Sequence, residues 1–314
     1  MINALTKSIN SRGFDQVFKE VLHSESLGLL SNEELRLFRL KEVIDNKFSK
    51  DSLRTFISKN IGHYVFSRSR IEQFRVEGDE FSVGIEALDL MYKSGRADEK
   101  GTGNELGEIL LYAFLETVLG APKIYSKIEL NSSVKSGISA CDGMHLRALD
   151  SGGKTLSYEM IFGTSCVVGD LGYAIDEAFE CIQQISGRTT EELQIVDSTV
   201  FELPADDPVA LQLNDIIKPA PGKDVYRDTA FGIFLGYTIG LDSSRYKSSD
   251  YRDALEKKMD NDIKHYAPYI KEKINKLSLN NRSFYVYVLP FDNAEDDKKA
   301  IMKTVMREGD SYGR

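Results

Sequence analysis

The sequence predicts an α/β protein in which a helical region precedes the sheet. Three observations carry that reading. Apolar residues recur at helical spacing up to about Leu90, the period changes from 3.6 to 2 after Gly120, and beyond Leu171 helix-like and strand-like stretches alternate.

Val17, Phe18, Val21 and Leu22, then Leu35, Leu37, Leu40 and Val43, then Leu53, Phe56 and Ile57 read as helix faces, with Ser31 ahead of Glu33 and Glu34 as a cap-like start. Residues 1–95 are therefore expected to form a helical N-terminal region and residues 96–314 the α/β domain. Gly101-Thr-Gly-Asn breaks the pattern and opens a helix from about Asn104 to Leu119. Gly120-Ala-Pro ends it, because glycine takes up the left-handed position past a helix and proline cannot continue one. Strand-like runs follow at Lys123 to Leu130, Gly137 to Leu149 and Lys154 to Thr164, the last two separated by Asp150-Ser-Gly-Gly, a hairpin signal. A helix is expected from Leu171 to about Ile185. Strands at Phe231 to Ile239 and Ser283 to Pro290 flank a long charged helix from about Asp250 to Leu277, and a last helix begins after Asp292.

Composition narrows the class. With 41% hydrophobic and 28% charged residues, 7 Pro and 24 Gly in 314, the chain is not collagen-like, mucin-like or disordered. No apolar run approaches the roughly 18 to 20 residues of a membrane span, and Met1 to Asp15 lacks the apolar core of an export signal. Cys141, Cys166 and Cys181 are odd in number and form no CxxC pair, so a reducing cytoplasmic location without a zinc knuckle is expected. Forty basic against 49 acidic residues give a formal charge of -9, which repels a phosphate backbone and excludes an autonomous DNA-coating protein. A metal pocket remains compatible, since it needs carboxylates.

Candidate chemistry begins on the helix from Asn104. Leu106, Ile109, Leu110, Leu111, Ala113, Phe114, Leu115 and Val118 cover most of its circumference, while Glu105, Glu108, Tyr112 and Glu116 share one stripe. The rarity of buried glutamate favours a solvated edge, and the alternative is a metal-facing stripe lining a pocket. In Ser139-Ala-Cys-Asp-Gly-Met-His-Leu, strand alternation groups Ile138, Ala140, Asp142, Met144, Leu146 and Ala148, making Asp142 the one charge on an apolar face. Such a carboxylate is paired, protonated or bound to a cation, or else sits satisfied at a bulge made by Gly143. The same alternation sends His145 and Arg147 to the opposite face. His23, His63 and His265 have no ligand at metal spacing and read as structural. Tyr158-Glu-Met-Ile-Phe-Gly-Thr-Ser-Cys then completes an order of helix glutamate, strand aspartate and following strand. That is the logic of a metal-dependent phosphodiester hydrolase, in which carboxylates hold Mg²⁺ and a lysine stabilises charge on water or phosphate.

The combination of Glu-Leu-Gly-Glu-Ile-Leu-Leu-Tyr from Glu105, Cys-Asp-Gly-Met-His from Cys141, Phe-Gly-Thr-Ser from Phe162 and the Phe-rich strands at Phe231 and Phe284 resembles the HamA family of the bacterial Hachiman anti-phage system. The resemblance covers roughly the C-terminal two thirds. It implies a restriction-endonuclease-like (PD-(D/E)xK-type) mixed-sheet core, a DNA nuclease using Mg²⁺ or Mn²⁺, and control by a HamB-like helicase subunit. Carried over, Glu108 (or Glu105) stands for the helix acid and Asp142 for the central metal ligand. The resemblance leads one to expect Gly-Glu-Ser-Lys on the next strand, where this chain has Gly163-Thr164-Ser165-Cys166. Either the functions have migrated, to Glu159 for the acid and Lys127 for the lysine, or the subunit is catalytically degenerate and acts by binding DNA or regulating the same helicase complex. Cys166 also reads as a small buried hydrophobe beside Val167 and Val168. The mixed-sign helix around Arg252 to Lys276 reads as a solvated face, and residues 1 to 90 are expected to contact the partner.

Overall fold

The computed structural model describes residues 5–29, 34–93, 103–126, 128, 139–149, 156–189, 191–192, 194, 208–217 and 225–310. A one-turn helix, α1 (Phe14–Val17), leads into β1 (Phe18–Val21) and β2 (Leu35–Leu40), then a small ladder of β3 (Val43–Ile44) and β4 (Lys47–Phe48). Helices α2 (Asp51–Val65), α3 (Arg68–Glu77), α4 (Val83–Lys93) and α5 (Glu105–Phe114) follow, the last continuing as a π-helical turn through Leu119. Gly120 at φ 73 ends it as expected. Next come β5 (Lys123–Ser126), β6 (Gly143–Leu149), β7 (Leu156–Val167), α6 (Leu171–Gly187), α7 (Pro208–Ile217), β8 (Val225–Thr238), α8 (Ser248–Lys276), β9 (Ser283–Phe291) and α9 (Ala294–Asp310).

Seven strands form one mixed sheet in the order β1-β2-β9-β8-β7-β6-β5. The β2–β9, β9–β8 and β8–β7 pairs are parallel, and β1–β2, β7–β6 and β6–β5 are antiparallel. The chain is thus mixed α/β, as the sequence predicts. Asp150 to Gly153 lies outside the described residues, but the strands it joins pair from Gly143↔Gly163 to Leu149↔Ser157.

The expected helices around Phe18 and Leu35 are instead strands. Leu35–Leu40 is a short run buried on both sides, a pattern that fits helix or strand equally by periodicity. What decides it is the open edge of β9, whose main-chain groups need partners and find them at Leu35↔Val286, Arg36↔Tyr287 and Leu37↔Val288. Ser31 and Glu33 lie outside the described residues. Residues before 95 also share the core of the rest: the Phe114 ring on α5 lies 5.1, 5.0 and 4.9 Å from those of Phe14, Phe18 and Phe38, and 5.2 Å from that of Tyr287.

Two layers cover the sheet. On one face α5 crosses β7 and β8 so closely that a β-carbon on Gly163 would sit 2.7 Å from Leu111 Cδ2, and one on Gly232 2.9 Å from Leu115 Cδ2. The other face carries α6, with α8 against it. Tyr251, Leu255, Met259, Ile263, Ala267, Ile270 and Ile274 form the buried stripe of α8, leaving its mixed charges outward. Among the described residues no helix is long and apolar enough to cross a membrane.

Candidate active site

The acid stripe of α5 is interior rather than a solvated edge. Glu105 is 5% exposed, Glu116 is fully buried, and Glu108 is half-buried. The cover comes from chain segments far away in sequence. Tyr64 of α2 donates its hydroxyl to Glu108 Oε2 at 2.7 Å. Ser8 and Ile9 give their main-chain N–H groups to Glu116 Oε2 at 2.6 and 2.7 Å, Ser8 Oγ and the Lys123 N–H bond Oε1, and Arg68 stands 3.7 Å away. Charge-assisted bonds of this kind let a carboxylate stay inside. Glu116 is therefore an anchor for the N-terminal segment.

Asp142 is not within a strand. It occupies the bend before β6, where its N–H donates to Gly163 O at 2.8 Å. Its Oδ2 accepts from both the N–H and the hydroxyl of Ser165, each at 2.7 Å. The bend overrides strand alternation, so Asp142 and His145 line the same cavity instead of opposite faces. That cavity, about 10 Å³ and so large enough for roughly one water, is lined by Tyr64, Glu108, Leu111, Tyr112, Lys123, Tyr125, Ser126, Asp142, Gly143 and His145. The structure thus brings Glu108 and Asp142 together. Glu105, three residues before Glu108, is not part of that lining.

Glu159 lies elsewhere. It is on the same face of β7 as Gly163 but four residues away, roughly 13 Å at about 3.3 Å per residue. Its carboxylate is buried and accepts the hydroxyls of Ser283 at 2.6 Å and Tyr285 at 2.5 Å, with Arg147 at 3.8 Å. Lys127 lies outside the described residues. Thr164 and Cys166 point away from α5: Ser165 and Val167 meet Gly107, Gly163 meets Leu111, and the alternate positions 164 and 166 face α6. The two places on β7 that face the cavity side are therefore Gly163 and Ser165, not the pair the resemblance indicates. Burial raises the Cys166 thiol to about 12, so it is not a ready thiolate.

Sequence reasoning missed Tyr64, Lys123 and the inward side of His145. Lys123 is 2% exposed, and its Nζ donates to the main-chain oxygens of Tyr64 and Phe66 at 2.8 and 3.0 Å. In sequence it stands only as the first residue of a strand-like run, with no signal that marks it as buried. His145 Nδ1 lies 2.8 Å from Ala121 O, which fixes the proton on Nδ1 and leaves Nε2 as the acceptor. Burial, first among its influences, lowers its pKa to about 4.

As a metal centre the donor set is hard and small. Glu108 and Asp142 present carboxylate oxygens to one cavity, and Mg²⁺ commonly uses one or two carboxylates and completes its shell with water and phosphate oxygens. The residues fit a cation on those terms. A group of three His, Cys, Asp or Glu side chains able to hold an ion does not occur among the described residues.

Comparison with known proteins follows the same direction. No curated protein matches the sequence. The family model for HamA matches residues 15–305 of the 314, which include every residue that lines the cavity. The chain therefore belongs to the HamA family, a membership that suggests a subunit of Hachiman anti-phage defence.

Proposed function

We propose that this chain is the effector subunit of a Hachiman complex, a metal-dependent DNA nuclease with a restriction-endonuclease-like core, kept under control by a HamB-like helicase partner. The observation that supports it is the convergence of Glu108 and Asp142, 34 positions apart in sequence, on one cavity that also holds Lys123. Glu108 and Asp142 would hold Mg²⁺ or Mn²⁺, which when bound supplies Lewis-acid activation of a phosphodiester. The chain's own contributions are distinct. Ser165 orients Asp142 through two bonds to one oxygen. Lys123 supplies the positive charge for the phosphate that Cys166, facing α6, cannot.

The test is to incubate the purified chain, alone and with its helicase partner, with plasmid and linear DNA in Mg²⁺ or Mn²⁺. Cleavage by the wild type that disappears in Asp142→Ala and Glu108→Ala, and persists in Glu159→Ala, is the expected result. A second reading is a catalytically silent subunit that binds DNA or regulates the helicase. It is favoured by Gly163 and Ser165, which put neither acid nor lysine at the two positions of β7 beside the cavity. A stable helicase complex with no cleavage under any condition would establish it.

A further inference from the structure

We propose that the C-terminal turn of α2 is a latch on the acid cavity, holding its glutamate and its lysine at the same time. The inference rests on the reading of Glu108 and Asp142 as the working carboxylates. Tyr64, next to last in α2, donates to Glu108 Oε2 at 2.7 Å. The main-chain oxygens of Tyr64 and of Phe66, the residue that ends the helix, accept from Lys123 Nζ at 2.8 and 3.0 Å. Carbonyls at a helix C-terminus lack intrahelical partners and carry the negative end of the helix dipole, so an ammonium is a natural cap for them. Two residues of one turn, Tyr64 and Phe66, thus engage both of the charged side chains that share the cavity with Asp142.

Two consequences follow. A Glu108 oxygen needed by a cation is already hydrogen-bonded, and Lys123 is directed at the helix end rather than at a phosphate. The cavity of about 10 Å³ is also far too small for a phosphodiester. The latch sits at a natural hinge, because the backbone leaves helical geometry at Phe66 (φ -97, ψ 150) and Ser67 (φ -66, ψ 163) before α3 starts. Withdrawing this one turn breaks the Tyr64 bond to Glu108 and both main-chain bonds of Lys123 together. A protein partner that pulls on α2 or α3 would then open the site.

Mn²⁺ binding tests the latch without relying on cleavage. Calorimetric titration of the full chain with MnCl₂ is compared for wild type, Tyr64→Phe and Phe66→Ala, with circular dichroism melting to confirm folding. Tyr64→Phe keeps the ring and loses only the hydroxyl, and Phe66→Ala loosens the turn should the first variant fail to fold. The expected result is Mn²⁺ affinity about tenfold higher in the variant, equivalent to ~1.4 kcal/mol, and abolished when Asp142→Ala is added. Wild-type binding that is unchanged or weakened in the variants overturns the latch and leaves the metal site standing. No Mn²⁺ binding by any form up to millimolar concentration overturns the metal site itself, and the latch with it.

Discussion

Replacing Glu116 by alanine should loosen the N-terminal segment and cost more stability than any surface change. The side chain is fully buried, and its two oxygens accept from the N–H groups of Ser8, Ile9 and Lys123 and from Ser8 Oγ, at 2.6 to 2.8 Å. Glu116→Ala leaves three main-chain donors without that acceptor and takes the opposing charge from Arg68. Each orphaned buried donor costs about 1–3 kcal/mol. Three of them would sum to roughly 3–9 kcal/mol, but Ser8 is only part-buried and water can enter beside it. A cost of ~4 kcal/mol is therefore expected, in line with the ~3–5 kcal/mol for breaking a buried charged pair. At about 2 °C per kcal/mol for a chain of this size, Tm should fall by roughly 8 °C. Calorimetry measures that fall, and hydrogen exchange at the Ser8 and Ile9 amides locates it. A loss under about 2 °C with those amides still protected would refute the anchor argument.

Three further outcomes follow from the same geometry. The unfolded His145 imidazole takes a proton below about pH 6.5, whereas the folded one, lowered by burial, does so only near 4. Its contribution to stability is therefore complete above pH 6.5 and lost as pH falls towards 4, by at most roughly 3 kcal/mol. Urea unfolding at pH 7 and pH 4.5 should show this loss in wild type and a shallower one in His145→Phe; equal slopes would count against it. Thr164 is 2% exposed on the α6 side, so Thr164→Glu should not raise cleavage above the wild-type level and should cost several kcal/mol by burying an unpaired carboxylate. Retained Tm with nuclease activity above that of the wild type would show that position 164 faces the cavity after all. Cys141 and Cys166, both raised to about 12 by burial first of all, should react slowly with a thiol reagent at pH 8, and rapid labelling of either one in the native chain, read by peptide mapping apart from Cys181, would contradict that.

Local features of the chain were legible wherever one segment carried its own signal. The helix from Glu105, its stop at Gly120, α6, the long α8 and the β8 and β9 runs all follow from periodicity and from glycine and proline punctuation. Phe18–Val21 and Leu35–Leu40 were not legible, because a segment of four or six residues is too short to show a period of its own and takes the conformation that a neighbouring strand edge requires. Glu108 and Asp142 could be named in advance as an acid on a buried helix and a lone charge in an apolar run.

What the sequence determined by itself is the alternation of helices and strands, the candidate acids and the membership of a family. Only the tertiary structure decided which acids meet. Glu116 and Glu159 carry the same carboxylate as Glu108, yet one fastens the N-terminal segment and the other joins Ser283 and Tyr285. It also decided that a bend turns Asp142 into the cavity, that positions 164 and 166 face α6, and that Tyr64 and Lys123 line the same cavity. The physical reason is that a charge inside a protein takes its role from the donors around it. Those donors come from Ser8, Tyr64 and Ser165, segments that only the folded sheet and its covering helices bring together.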